Sequence, residues 1–486
     1  MRAFIGKLLP FCAVLLVCGL VGCGGSGGST SGGGGGSDEN PAPSVTSLSP
    51  TTATAGSAAI TLTLRGTDFI STSSVQWNGN AISTSYQNPI LLYATVPATD
   101  VQSAGSATVT VVNPSPGGGT ATAGTFTISP APPFTVVSVP ANDLVWDRVH
   151  QVIYLALPSD GTNANSIQVL NPYTAALGQA SYVGVGPDML SVSANAKYLY
   201  AGLSGSPSVQ RMTLPSLALD INIPLGAEEY SNIPFYAEDL QASPVQDGTV
   251  AVIRAIPAST PEEDGGVVLY DDGVARQTSI CGFGLTGPNC SYAYEVWDSI
   301  QWKQDGTEMF AANLSDTGFD FYTAPVTANG FGTVTDYPYT FNTFGTKIHY
   351  DATTGYVYDE DGIVVNPQNG TIVGTFAANG LMVPDGTIGR AFFLVQVNEA
   401  SYSNYTLESF DINTLEPISS LVITGVIGTP SRLIRWGSNG LAFTASTYDY
   451  STKTTTGAVY LVSGSFVTGS KSGDVPNPKE NVKRPW

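Results

Sequence analysis

Short runs of alternating apolar and polar residues, separated by polar turns, fill the chain from Asp143 onward. The first set comprises residues 143–147, 151–157 and 166–174, and the last of these runs ends in Asn171-Pro172-Tyr173-Thr174. Alternation with a period of two is typical of β-strands, and Asn, Pro and Thr are common turn residues. The pattern therefore predicts three consecutive strands joined by turns.

Similar sets recur to the end of the chain, and we count about seven. Their first strands begin at Asp143, Asp188, Asp239, Asp298, Thr346, Leu381 and Arg432. An all-β unit that recurs every 40 to 60 residues or so is typical of a propeller blade. Residues 134–470 are therefore predicted to form a β-propeller of about seven blades.

A propeller has to close its ring, because an open array of sheets leaves exposed strand edges. Residues 134–140 precede the first inner strand in the same way that residues 180–187 precede the second. This position predicts that residues 134–140 are the outermost strand of the last blade. The alternative is a strand that serves only as a linker.

The first 22 residues have the pattern of a targeting signal. Arg2 and Lys7 precede an apolar stretch, and Leu20-Val-Gly-Cys23 follows it. This motif resembles the lipobox of bacterial lipoproteins. The resemblance implies cleavage after residue 22, lipidation of Cys23 and a membrane anchor made of lipid chains. Gly24 in place of Asp favours the outer membrane within the cell envelope. The alternative is an ordinary cleaved signal with an incidental cysteine.

A tether and a small domain are predicted between this signal and the propeller. Residues 23–42 are rich in Gly and Ser and are typical of a flexible tether. Short strands at 60–64, 74–77, 91–96 and 107–112 then predict a small β-sandwich over residues 43–130. Prolines at 130–133 form a stiff linker, and residues 471–486 are a flexible tail.

Two family resemblances support this organisation. Arg65-Gly-Thr-Asp-Phe69 and Val75-Gln-Trp-Asn-Gly79 resemble the TIG/IPT family of immunoglobulin-like domains. That resemblance implies an interaction or spacer module without catalysis, in which Phe69 and Trp77 belong to the core. Residues 166–174 and 186–193 resemble the YncE-type group of seven-bladed propellers. This second resemblance implies a fold and no activity, because propellers have many functions.

The charge of the chain and its motifs exclude several classes of function. The chain has 18 Lys and Arg against 38 Asp and Glu, a net charge of −20, so nucleic acid is not an expected partner. The folded regions contain no His-Glu-x-x-His, no Cys-x-x-Cys and no phosphate-binding glycine loop, and no cofactor is predicted. The two histidines, His150 and His349, fall in different blades. Each is either a polar surface or channel residue or a general acid or base.

Cys281 and Cys290 flank a loop rich in Gly and Pro. In an exported protein this spacing favours a disulfide, with two free thiols or a pair of metal ligands as the alternatives.

Four acids occupy similar places at the beginning of inner strands: Asp143, Asp188, Asp239 and Asp298. Around one mouth of the channel they could bind a cation or a basic group of a partner. Alternatively, each Asp caps a turn by accepting hydrogen bonds from nearby backbone N–H groups. We assign no metal ligand and no catalytic residue on this evidence.

The order of anchor, tether, interaction module and repeat predicts a membrane-anchored scaffold that binds a protein or a polysaccharide. The alternative is an extracytoplasmic hydrolase or lyase that uses carboxylates at the channel mouth.

Overall fold

The computed structural model describes residues 39–55, 57, 59–129, 134–228, 232–256, 263–282, 290–293, 297–314, 318–345, 347–397 and 403–468. The chain divides into two compact units, Met1–Ala131 and Pro132–Trp486. The predicted signal, Cys23, most of the predicted tether, Thr346 and the predicted tail at 471–486 lie outside the described residues.

The first unit is a sandwich of two sheets. One sheet has the strand order Ser44–Ser49, Ile60–Thr67, Leu91–Val96, Ser83–Asn88. The other has the order Thr52–Thr54, Gly119–Ser129, Gly105–Asn113, Ser74–Trp77, Asn80–Ala81. The short strand Thr52–Thr54 pairs in parallel with Gly119–Ser129, and a 3-10 helix spans Ala98–Val101. The predicted sandwich is thus confirmed.

Alternation along each strand builds the core of this sandwich. In Ile60–Thr67, Leu62 and Leu64 are completely buried and Thr61 and Arg65 are exposed. Phe69 and Trp77 are 1% and 5% exposed, and the ring of Trp77 lies 5.1 Å from that of Phe126. Both predicted core aromatics are therefore confirmed as packing residues.

The second unit has seven blades within the described residues, each with at least four strands that pair antiparallel. Blade 1 comprises Asp143–Asp147, Val152–Ala156, Ser166–Asn171 and Ala176–Tyr182. Blade 2 comprises Pro187–Val192, Tyr198–Leu203, Ser208–Thr213 and Ala218–Pro224. Blade 3 comprises Tyr236–Ala242, Thr249–Ile256, Glu263–Asp271, Ser279–Cys281 and the short strands Val274–Ala275 and Cys290–Ala293. Blade 4 comprises Ser299–Trp302, Glu308–Ala312, Phe321–Thr327, Thr335–Tyr337 and the short strand Gly330–Phe331.

Blades 5 to 7 complete the propeller. Blade 5 comprises Ile348–Asp351, Tyr356–Asp359, Ile363–Asn366 and Thr371–Thr375. Blade 6 comprises Leu381–Asp385, Arg390–Gln396, Asn404–Asp411 and Pro417–Thr424. Blade 7 comprises Thr429–Trp436, Gly440–Asp449, Thr454–Ser463 and Phe134–Val137. The first strand of each blade contacts that of the next, and Asp143–Asp147 also contacts Thr429–Trp436. The inner strands therefore form a closed ring, as predicted for a propeller of seven blades.

The last blade takes its outermost strand from the beginning of the unit. Phe134–Val137 pairs antiparallel with Thr454–Ser463, with Phe134 opposite Val462 and Val137 opposite Val459. Val137 is 7% exposed and packs in the core, while its neighbour Val136 is 45% exposed. The predicted closing strand is confirmed, and the linker alternative is wrong.

A disulfide joins Cys281 to Cys290 across Cα atoms 5.4 Å apart. It joins two strands that pair in parallel, Ser279–Cys281 and Cys290–Ala293. The disulfide prediction is confirmed, so the two sulfurs are neither free thiols nor metal ligands. The only α-helix among the described residues is Ser465–Thr468, and none of the helices described is long and apolar enough to cross a membrane.

Candidate binding site in the propeller channel

One residue in, or directly before, each inner strand contributes to a ring around the channel, which we call the inner ring. Each strand contains a buried apolar residue at the interface between blades: Leu144, Leu190, Leu240, Ile300, Ile348, Met382 and Leu433. The inner ring consists of the residues immediately before these: Asp143, Met189, Asp239, Ser299, Lys347, Leu381 and Arg432. It therefore contains two acids and two bases.

Three members of the inner ring hydrogen-bond to the next blade in the same way. Asp143 Oδ2 accepts from the backbone N–H of Leu190 at 2.7 Å, and Asp239 Oδ2 accepts from that of Ile300 at 3.0 Å. Ser299 Oγ accepts from the N–H of Ile348 at 3.2 Å. These side chains hold neighbouring blades together, because each accepts a hydrogen bond from a buried backbone N–H group of the next blade.

Asp188 and Asp298 lie one residue earlier than the inner ring. The structure therefore places the four predicted acids at two levels, with Asp143 and Asp239 at one and Asp188 and Asp298 at the other. Asp298 Oδ2 accepts a hydrogen bond from the N–H of Leu314, within its own blade. The described residues contain no group of three or more His, Cys, Asp or Glu side chains that could hold a metal ion.

Asp143 and Asp188 both have a raised pKa. Burial raises the pKa of Asp188 to about 7, and the charge of Asp143 adds to the rise. Burial also raises the pKa of Asp143, and the Arg432 guanidinium opposes this rise. The Nε of Arg432 lies 3.7 Å from Oδ1 of Asp143, which links the last blade to the first. A binding role for the four acids remains a prediction.

A cavity of about 290 Å³ opens along the channel. Asp239, Ser299, Lys347 and Arg432 of the inner ring line it. Its other polar and aromatic lining residues include Trp146, Gln241, Gln301, His349 and Glu360. The cavity thus combines both signs of charge with neutral amides and an indole ring.

The two histidines have different surroundings. His349 lines the cavity, and its Nε2 lies 3.4 Å from Oε1 of Glu360. His150 lies in the turn after the first inner strand, where its Nδ1 is 2.7 Å from Oδ2 of the buried Asp147. Asp147 also accepts the backbone N–H groups of Val149 and His150, so this pair stabilises a turn.

The inner ring shows what the sequence patterns missed. The repeated Asp does not predict a binding role for Lys347 or Arg432, although each precedes a buried apolar residue as Asp143 and Asp239 do. Aligning the inner strands on that residue, rather than on a repeated Asp, would have found them.

The first unit is similar to a known domain family. Residues 43–128 match the family model described as IPT/TIG domain. The match covers this unit alone, and no curated protein sequence matches the chain. The TIG domain agrees with the resemblance found in residues 65–69 and 75–79.

Solved structures similar to the chain include propellers. One is the β-propeller domain of Cps50 (Swd1) from Myceliophteria thermophila, with 10% identity, coverage of 68% of this chain and 99% of that chain, and a TM-score of 0.46. Another is a quinonprotein alcohol dehydrogenase-like protein from Bacteroides thetaiotaomicron, with 11% identity, coverage of 78% and 97%, and a TM-score of 0.42. At such identities these neighbours say nothing about activity. The YncE-type resemblance remains a prediction.

Proposed function

We propose that the protein is a lipid-anchored scaffold of the cell envelope that binds a protein or a polysaccharide through its propeller. A TIG domain followed by a propeller suggests a binding scaffold. The observation that carries the proposal is that the acids of the channel form hydrogen bonds within the protein. Asp143 and Asp239 accept hydrogen bonds from adjacent blades, and Glu360 lies 3.4 Å from His349, so these carboxylates have partners within the protein instead of serving as free bases.

The anchor is expected to depend on Cys23. In cells, Cys23→Ser should abolish incorporation of labelled palmitate and move the protein from the membrane fraction to the soluble fraction, because a thioether-linked lipid needs the cysteine sulfur. Cys18→Ser is the matched control, since residue 18 lies within the predicted signal and should leave both measurements unchanged. Membrane association that persists without Cys23 would remove the anchor from the proposal.

One observation favours a second function, that of a hydrolase or lyase. Asp188 has a pKa of about 7 and is influenced by the charge of Asp143. A carboxyl group whose pKa is raised by burial and by the charge of a second acid is a candidate general acid for glycoside cleavage.

A single experiment separates the two functions. The mature chain with Cys23→Ser is incubated with a panel of envelope glycans and with solubilised envelope proteins, and binding and product formation are both measured. Saturable binding without turnover supports the scaffold. Turnover with a bell-shaped pH profile, lost in Asp188→Asn and retained in Asp298→Asn, would replace the scaffold by the enzyme. If neither binding nor turnover occurs, the scaffold proposal fails.

A further inference from the structure

Two cationic side chains of the channel cavity have unused hydrogen-bonding capacity. Among the described residues, Lys347 Nζ has no hydrogen-bond or ion-pair partner, and the terminal guanidinium nitrogens of Arg432 have none either. The Nε of Arg432 has its one contact, at 3.7 Å from Asp143. A third cation in the lining, Arg435, is already paired with Asp385 at 2.8 Å.

The acids of the same cavity are occupied within the protein. Asp239 accepts from Leu240 and Ile300 with its two oxygens, at 2.8 and 3.0 Å. Glu360 accepts the backbone N–H of Lys347 with Oε2 at 3.3 Å and lies beside His349 with Oε1. Because these carboxylates already accept hydrogen bonds, the charged groups of the cavity that still have free donors are Lys347 and Arg432.

Neutral groups in the lining suit hydroxyl groups. The side-chain amides of Gln241 and Gln301 make no hydrogen bond to another described residue, and each amide can both donate and accept. Trp146 adds an apolar ring surface to the same cavity. A ligand with several hydroxyl groups on a compact ring would use both kinds of lining residue.

We propose that the channel binds an acidic sugar, a uronic acid unit whose carboxylate is held by Lys347 and Arg432 and whose hydroxyl groups face Gln241 and Gln301. A cavity of about 290 Å³ is at the small end of ligand pockets, so it suits one sugar unit at the end of a chain. The inference rests on the proposed binding function, and it names the class of polysaccharide that the scaffold would bind.

The test compares D-glucuronate with D-glucose by calorimetric titration of the full-length mature chain carrying Cys23→Ser. The two sugars differ in one carboxylate, so glucuronate should bind at least about tenfold more tightly. Lys347→Gln, which keeps a polar side chain of similar length, should lose at least about tenfold in glucuronate affinity. Lys303→Gln is the matched control, because Lys303 pairs with Asp305 and Glu308 outside the cavity lining and should leave the affinity unchanged.

Each other outcome overturns the inference. Equal binding of the two sugars would mean that hydroxyl groups alone are recognised. If Lys347→Gln keeps the affinity for glucuronate, or if Lys303→Gln lowers it equally, the carboxylate binds at another place. If glucuronate does not bind at millimolar concentrations, the channel is not a site for this sugar. Capture of another glycan or a protein by the same chain would then leave the scaffold standing without this ligand.

Discussion

Val137→Asp is expected to destabilise the propeller on the order of 4 kcal/mol, because it places a charge without a partner in an apolar core. Val137 is 7% exposed and lies in the closing strand opposite Val459. Its loss removes apolar packing from the strand that completes the last blade and so helps to join the two ends of the ring. Urea unfolding followed by tryptophan fluorescence measures the change in the free energy of unfolding.

Val136→Asp is the matched control for this result. Val136 is the preceding residue of the same strand and is 45% exposed, so its substitution keeps the added charge in water. We expect a change within about 0.5 kcal/mol for this variant. Equal losses for the two variants would mean that the strand contributes through its charge or backbone and that its buried face is unimportant.

Asp359→Asn is expected to remove a large part of the pH dependence of stability. Asp359 is completely buried, and burial raises its pKa from 3.8 to about 7, with the nearby charge of Asp361 adding to the rise. Its Oδ1 accepts the N–H groups of Asp361 and Ile363, whereas Oδ2 is buried without a hydrogen bond to any described residue.

The direction of this pH dependence follows from proton binding to Asp359. Between about pH 4 and pH 7 the folded state keeps a proton on Asp359 that the unfolded chain releases, so the free energy of unfolding falls as pH rises through this window. A shift of about 3 units corresponds to roughly 4 kcal/mol. The variant should therefore be more stable than the wild type at pH 8 and should show a flatter profile of stability against pH.

Unfolding in urea at several pH values between 4 and 8 checks this expectation. Asp188→Asn should remove a separate part of the same decline, since the pKa of Asp188 is also about 7. Asp305→Asn is the control on the surface, where the pKa is lowered by the Thr307 hydroxyl and N–H groups and no fall in stability over this window is expected. A wild-type profile that rises from pH 4 to pH 7 would contradict the assignment.

The propeller could be predicted from the sequence because its signal is repeated in every blade. Each inner strand carries a buried apolar residue followed by a turn and a second apolar strand, so seven weak patterns support one another. The closing strand was predictable from its place before the first inner strand. The TIG domain was predictable for another reason, since its glycine and aromatic motifs are specific.

The channel was less predictable because similar residues occupy different positions of the inner strands. Asp143 directly precedes the buried residue Leu144, whereas Asp188 precedes the equivalent Leu190 by two residues, so Asp188 falls one place before the inner ring. The hydrogen bonds from Asp143 and Asp239 to the next blade join residues that are far apart in the chain. A local pattern predicts a turn cap at such an Asp and cannot show a partner in another blade.

Closure by the strand Phe134–Val137 also sets the order in which the propeller can fold. This strand is the first of the propeller to emerge from the ribosome, and its partner Thr454–Ser463 emerges after the first six blades. Contacts between such distant segments are slow to form, and until then the ring has two unpaired strand edges open to intermolecular pairing. A chain interrupted before Thr454 is therefore expected to expose both edges, so the propeller can reach its protected state only after synthesis of its last blade.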